Sequence, residues 1–163
     1  MILTGSMKVT LATNRTFTGD LESGASNISA AIAAAFANGT GDNQIDLVYQ
    51  DTETLATGEP KTYDLDALVD PITGAAVIFA KVNAIVFYSK LTANKVLTLG
   101  AGDFQGPFSG VGDSVAIPPE GFFVAAAPIA GWVVTPTSGD GLLITNAAGG
   151  PSEYDIYIIG TSA

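Results

Sequence analysis

The chain has 163 residues, a length typical of one domain that can bury a substantial core without disulfide bonds. It contains no Cys and no His, which removes thiolate metal sites and the commonest acid–base group at neutral pH, and so disfavours most hydrolase and oxidoreductase sites. Its formal charge of −10 comes from 16 acidic and 6 basic side chains, with no Lys or Arg after Lys95, so direct binding to nucleic acid or to an anionic membrane is not expected.

The surface is expected to be unusually apolar. Hydrophobic residues make up 47% of the chain and charged residues 13%, against about 25% charged residues in average domains. This balance favours a surface that other subunits partly cover, with an ordinary β domain rich in Ala and Gly as the alternative. The N-terminal sequence lacks the basic segment of a secretory signal, and no apolar run approaches the roughly 20 residues of a membrane span, so we expect a protein made in the cytoplasm without a membrane contact.

The N-terminal segment contains one clear strand and one ambiguous stretch. Residues 7–18 alternate and are rich in Thr, which predicts a strand. In residues 27–38, Ile28, Ile32 and Phe36 fall four apart, as on one face of an Ala-rich helix. The same three residues also fit the period of a strand, and the Asn-Gly pair that follows is typical of a hairpin turn. The local pattern favours the helix slightly and leaves the strand open.

The middle of the chain predicts further strands. Residues 44–50 and 61–68 alternate, and residues 75–89 form the longest apolar run, which predicts a buried central strand with a bulge or an edge crossing. Residues 92–94 have the composition of a hairpin turn. Residues 100–112 are predicted to form a Gly-rich loop.

The C-terminal part predicts five short strands that end in Gly, Pro, Asn or Asp, at residues 114–117, 121–127, 132–135, 142–146 and 154–160. The last strand is apolar at odd and even positions alike, which indicates an inner strand or one that a neighbouring chain covers. The chain as a whole predicts about ten short strands at intervals of roughly 8 to 12 residues. This spacing is typical of an all-β antiparallel sandwich, jelly roll or barrel.

Few residues are candidates for chemistry. Asp64 and Asp66, two apart on a predicted strand, would point to one face as catalytic acids or cation ligands do, but simple alternation explains them as a solvated strand face. Residues 42–46 offer oxygen ligands yet lack the Gly and the terminal Glu of a calcium loop. The sequence therefore predicts no catalytic residue, no metal site and no cofactor.

Four aromatic residues are candidates for contact with another subunit. Phe104 and Phe108 stand in the Gly-rich loop, and Tyr157 lies on the last strand. Trp132 could also stack on a sugar, although a single Trp on an apolar strand more often belongs to the core. We take these four residues as the predicted subunit-contact set.

Several motifs resemble one known family. They lie at residues 46–56, 63–66, 79–85, 106–108, 118–121, 131–132, 154–156 and 159–163. Together they resemble a family of small virion structural proteins encoded in tailed-bacteriophage genomes. The resemblance runs from about residue 39 to the C-terminus, and its motifs are mostly turns and strand ends, so it identifies a fold more firmly than a role.

The resemblance implies a non-enzymatic virion protein with an antiparallel, jelly-roll-like β-sandwich at residues 39–163. Residues 1–38 would be an N-terminal strand or arm, packed on the main domain or on a neighbour, and the resemblance favours a strand for residues 27–38. The expected role is a decoration or cement protein on the outer surface of the phage head. Its expected partners are the major capsid protein and other copies of itself, in a cyclic oligomer taken as a trimer.

Two alternatives stay open. One is a receptor- or glycan-binding domain of a tail spike or fibre, or another structural component of the tail, in which Trp132 or loop aromatics would contact a glycan. The other is a glycosidase with paired carboxylates, whose two acids would have to lie roughly 5 to 9 Å apart in a cleft.

Overall fold

The computed structural model describes residues 2–18, 23–90, 96–108, 110–147 and 149–163. These residues form strands and turns, and the described part contains no helix. The strands are β1 (Gly5–Thr18), β2 (Ser23–Asn38), β3 (Gln44–Ile45), β4 (Leu47–Leu55), β5 (Pro60–Asp64), β6 (Leu68–Val69), β7 (Ala76–Val77), β8 (Lys81–Ser89), β9 (Leu97–Gly100), β10 (Ser114–Ile117), β11 (Phe122–Ala126), β12 (Trp132–Val133), β13 (Gly141–Asn146) and β14 (Ser152–Thr161).

Two antiparallel sheets form the body of the protein. The first has the order β11-β8-β14-β4, with β12 also paired to β8, and the second has the order β10-β9-β13-β5. One continuous hydrophobic core lies between them, to which both sheets contribute buried residues. The predicted all-β antiparallel sandwich is therefore confirmed.

Successive strands along the chain often belong to opposite sheets. β4 is followed by β5, β8 by β9, β10 by β11 and β13 by β14, and each of these steps crosses from one sheet to the other. A chain whose successive strands alternate between two sheets in this way favours a double-sheet jelly roll. The finer jelly-roll assignment stays a prediction.

The last strand lies at the centre of the first sheet. β14 pairs with β4 on one side and with β8 on the other. Its inward side chains Tyr154, Ile156 and Ile158 are fully buried against the second sheet. The sequence prediction of an inner strand is thus confirmed for one face of β14, and its other face is described below.

The chain begins with a long hairpin, which we call the arm. Its strands β1 and β2 pair in continuous register from Gly5 opposite Phe36 to Thr18 opposite Ser23, a length of about 45 Å at roughly 3.4 Å per residue. Residues 27–38 are therefore strand, because pairing with β1 outweighs the helical preference of Ala. At its base, β2 also pairs in parallel with β3. The polar, Gly-containing residues 20–26 would be expected to form a turn, but residues 23–26 belong to β2, and residues 19–22 lie outside the described part of the chain.

Three local predictions need correction. The strand predicted at residues 61–68 ends at Asp64, and a turn follows. The run 75–89 is divided into β7 and β8 by residues 78–80. The hairpin turn predicted at 92–94 lies outside the described residues, and the strands that flank it belong to different sheets and so do not form a hairpin.

Candidate functional site

The outward surface of the first sheet is apolar, and we call it the outer sheet face. Strand register aligns Tyr157 of β14 with Val86 of β8, and Val86 with Val124 of β11. The neighbouring row places Tyr88 beside Phe122. Sheets of soluble proteins usually alternate apolar inward residues with polar outward ones. Here the outward positions of β8 and β11 are also largely apolar, and β14 adds Tyr157 and Ile159 next to the charged Glu153 and Asp155.

These outward side chains are not covered by the rest of the chain. Phe122 is 69% exposed, Tyr157 is 43% exposed, and Val86 and Val124 are partly exposed. Isolated exposed apolar residues are common on protein surfaces, but a contiguous patch is typical of an interaction site. The outer sheet face is therefore the best candidate for a functional surface in the described part of the chain.

A shallow groove borders this face next to Tyr157. It has a volume of about 370 Å³ and lies between β4, β14 and the loop that carries Pro71 and Ile72. Asp70 shapes that loop, because its Oδ1 accepts hydrogen bonds from the backbone N–H groups of Ile72 (2.8 Å) and Thr73 (2.9 Å). These bonds lower the pKa of Asp70 below its ordinary value. The ionised carboxylate of Asp70 thus holds in place the loop that forms one wall of the groove.

A charged cluster marks one side of the outer sheet face. Lys90 Nζ lies 2.7 Å from Asp155 Oδ1 and 2.9 Å from Glu153 Oε1. The hydroxyl of Thr52 donates a further hydrogen bond of 2.6 Å to Asp155. Burial raises the pKa of Asp155, but the bonds from Lys90 and Thr52 outweigh it, so the pKa of this carboxyl is lowered. The hydrogen bonds that Lys90 donates to Asp155 and Glu153 raise the pKa of Lys90 to about 12.

Two of the four predicted contact residues lie in the core of their own chain. Phe104 and Phe108 are almost fully buried, and Phe108 stacks on Phe123 with ring centroids 5.9 Å apart. Gly106, which has a φ of 31°, lets the loop turn inward, since a Cβ at that position would collide with the ring of Phe104. The exposed loop expected from sequence instead closes over the core, so these rings are unavailable to a partner in this conformation.

The other two predicted contact residues lie apart from each other. Tyr157 is on the outer sheet face, on β14, and Trp132 is on β12. Trp132 is half-buried on β12, packs against the hydrophobic core, and pairs across the strands with Val82. It also borders a cleft of about 390 Å³ whose polar lining includes Asp103, Gln105 and Ser138. A half-exposed indole beside carboxylate, amide and hydroxyl groups is the chemistry that can hold a sugar ring.

Three carboxylates come together at one end of the second sheet. Oxygens of Asp64, Asp66 and Asp140 lie within 4.8 Å of one another. A hydrogen bond with Asp64 raises the pKa of Asp66, and Asp140 already accepts a hydrogen bond from the N–H of Thr137. Hard cations bind such oxygens, but exposed acidic groups often cluster without an ion. The sequence paired Asp64 with Asp66 on a strand and missed Asp140, which only the fold brings near.

The outer sheet face itself was only partly visible in the sequence. The apolar alternation of residues 154–159 indicated β14, but the contributions of Val86, Val124 and Phe122 depend on which strands flank it. Nonlocal pairing in a sandwich has no local signal in the sequence. The arm's continuous register was hidden for the same reason.

Comparisons of the chain with protein-family models, with curated proteins and with solved structures found no match. Within the described residues, there is no helix with the length and apolar character needed to cross a membrane.

Proposed function

We propose that this chain is a non-enzymatic structural protein of a tailed-bacteriophage virion, and that it decorates the outer surface of the head. The observation that carries the proposal is the outer sheet face. Its apolar side chains lie on the central strands of the first sheet, and the described part of the chain leaves them exposed. A protein that works as one of many copies in a shell has a use for such a surface. The motifs that resemble those of small virion proteins support the assignment to this class of structural protein.

The charge of the chain agrees with an exterior position. A formal charge of −10 is repelled by packaged DNA, whose phosphates attract clustered Lys and Arg. On a capsid, weak contacts are repeated over a symmetric lattice and add up to strong binding through avidity. The partner in this proposal is the major capsid protein, and copies of the chain form a cyclic oligomer, which we take as a trimer.

Binding to phage particles tests this role. The intact protein would be mixed with heads purified from a phage that lacks its gene, with tail tubes and with host cells, and each mixture would be sedimented. The proposal expects saturable binding to heads at a fixed number of copies per capsid subunit. Binding to tail tubes or to cells without binding to heads would contradict it.

A second candidate is glycan recognition by a tail spike or fibre, which the cleft beside Trp132 favours. Glycan-array binding by the intact protein that Trp132→Ala abolishes and that Ile129→Ala preserves would support this role. Ile129 is the control, since it is a nearby exposed apolar residue that does not line the cleft.

A further inference from the structure

The arm has one apolar face and one polar or small-residue face. Because β1 and β2 pair in register, odd-numbered residues of β1 share a face with even-numbered residues of β2. The described side chains of the first face are Met7, Val9, Leu11, Thr13, Ile28, Ala30, Ile32, Ala34 and Phe36. Those of the second face are Ser6, Lys8, Thr10, Ala12, Asn14, Thr16, Ala25, Asn27, Ser29, Ala31, Ala33 and Ala35. We call the first set the apolar face of the arm.

The apolar face of the arm is exposed along most of its length. Phe36, at the base, is buried, whereas Ile32 is 79% exposed, Leu11 is 60% exposed and Ile28 is 59% exposed. A two-stranded hairpin without a third strand or a covering layer is marginally stable in water. A hairpin about 45 Å long with uncovered Ile and Leu residues therefore requires a surface to cover it.

Charge favours the arm over a second sandwich as the occupant of an exposed face on another copy. Strands β1 and β2 contain Lys8 and Arg15, and the residues between them include Asp20 and Glu22, so residues 1–38 carry no net formal charge. Residues 39–163 contain fourteen acidic residues against four Lys, a formal charge of −10. Two bodies laid sheet to sheet would bring like charges together, whereas a neutral arm on the body of another copy meets no net repulsion.

The outer sheet face is the matching apolar surface on that body. It is exposed in the same chain, so the copy's own arm does not cover it. β14 has ten residues, so about 34 Å of an arm about 10 Å wide can lie along the sheet, which buries about 700 Å² in total on the two surfaces. That area is below a stable interface of about 1,600 Å², but each copy makes two such contacts, one given and one received, and together they bury about 1,400 Å², within the range of stable interfaces.

We propose that the apolar face of each arm lies on the outer sheet face of a neighbouring copy, so that copies of this chain are joined by exchanged arms. The partner is a second copy of the same chain. The inference concerns contacts between copies and goes beyond the head-decoration role, since an assembly joined in this way could occupy another place in a virion.

Cross-linking tests the contact directly, because the chain has no Cys of its own. Gln50→Cys places a thiol on an exposed residue that pairs with Tyr157 beside the outer sheet face. Ala30→Cys places one on the apolar face of the arm, and Ala31→Cys places one on the opposite face as the matched control. Two single-Cys variants, one labelled with ¹⁵N, would be mixed in unfolding and refolding cycles and treated with a short bismaleimide.

The proposal expects mixed dimers of Ala30→Cys with Gln50→Cys at several times the yield found for Ala31→Cys with Gln50→Cys. Equal yields would overturn it, and so would Ala30→Cys homodimers without mixed dimers, which would mean that arms pair with arms. A protein that sediments as a monomer at all concentrations and gives no intermolecular product would overturn it too.

A charge placed on the arm gives a second test. Ile32→Asp is expected to weaken self-association by about 10-fold or more in sedimentation equilibrium, because it buries an unpaired carboxylate in the contact. Ala33→Asp, which adds the same charge on the opposite face, is expected to change it less than about 3-fold. The fluorescence of the single Trp would show that both variants fold. Equal effects of the two substitutions would overturn the proposal.

Discussion

The hydroxyl groups of Tyr63 and Tyr154 lie 2.9 Å apart and join the two sheets across the core. Tyr63 also lies 3.2 Å from Asp51 Oδ2, so its single proton goes to the carboxylate, the stronger acceptor, and it accepts the proton of Tyr154. Burial raises the pKa of both phenols well above the ordinary value. The pair is therefore neutral throughout the stable pH range of a typical protein.

The direction of these hydrogen bonds predicts unequal costs for two similar substitutions. Tyr63→Phe leaves the buried hydroxyl of Tyr154 without an acceptor, and we expect a loss of about 1–3 kcal/mol in the free energy of unfolding. Tyr154→Phe leaves the bond from Tyr63 to Asp51 intact and should cost about 1 kcal/mol. Urea unfolding of both variants measures the difference. The reverse order would contradict the assigned direction.

Gly160 should tolerate no side chain. It lies at a register shift between β14 and β8, and a Cβ there would fall on the carbonyl oxygen of Lys81 and lie 2.9 Å from the ring of Phe79. Because backbone would have to move, Gly160→Ala is expected to destabilise the fold by about 3 kcal/mol. Gly110→Ala is the control, since its Cβ would make an ordinary contact of 3.6 Å with Asp113. Equal midpoints of thermal unfolding would refute this.

The ion pair of Lys90 with Asp155 predicts a pH dependence. The folded-state pKa of Asp155 is lowered, so its stabilising contribution is present above the unfolded pKa of about 3.9 and is lost as pH falls through the folded value. The folded-state pKa of Lys90 is raised to about 12, so its contribution is present below about pH 10.4 and is lost toward pH 12.

Replacing either partner should therefore matter between about pH 4 and pH 10, and the effect should shrink as pH falls below about 4. Asp155→Asn and Lys90→Met are expected to lower the urea midpoint at pH 7, and the gap to the unchanged protein should close in acid. Unfolding followed at a series of pH values measures this. A gap that stays the same size from pH 7 into acid would mean that the loss comes from packing instead.

Shortening the arm should leave the sandwich folded. Ser6 pairs with Ala35, so residues 7–34 can be replaced by Asn-Gly, a two-residue turn that closes a hairpin. We expect the same midpoint of unfolding for the shortened protein at low concentration, because the exposed part of the arm contributes little to the core, together with loss of self-association. A variant that fails to fold would show that the arm belongs to the main domain.

Much of the fold could be predicted because alternation and turn residues are local signals. Residues 142–146 and 154–160 were placed within about two residues of β13 and β14. Residues 118–121 contain the Pro and Gly of a tight turn, in which Gly often takes a positive φ, but here Glu120 has the positive φ, at 55°. Gly121 is needed for another reason, since its Cβ would lie 2.7 Å from the carbonyl oxygen of Pro118.

The remaining features depend on contacts that are distant in sequence. Phe104 and Phe108 look exposed in a Gly-rich loop, and only the inward turn of that loop shows them to be core residues. Residues 27–38 are strand because β1 lies beside them. The outer sheet face becomes contiguous only when β8 and β11 are placed next to β14.

An image of the assembled virion by electron cryomicroscopy tests the central claim most directly. The account predicts density for this sandwich at regularly repeated positions on the outer surface of the head, with each arm crossing to the outer sheet face of a neighbouring copy. Density for the chain in the tail, or particles that do not contain it, would contradict the claim.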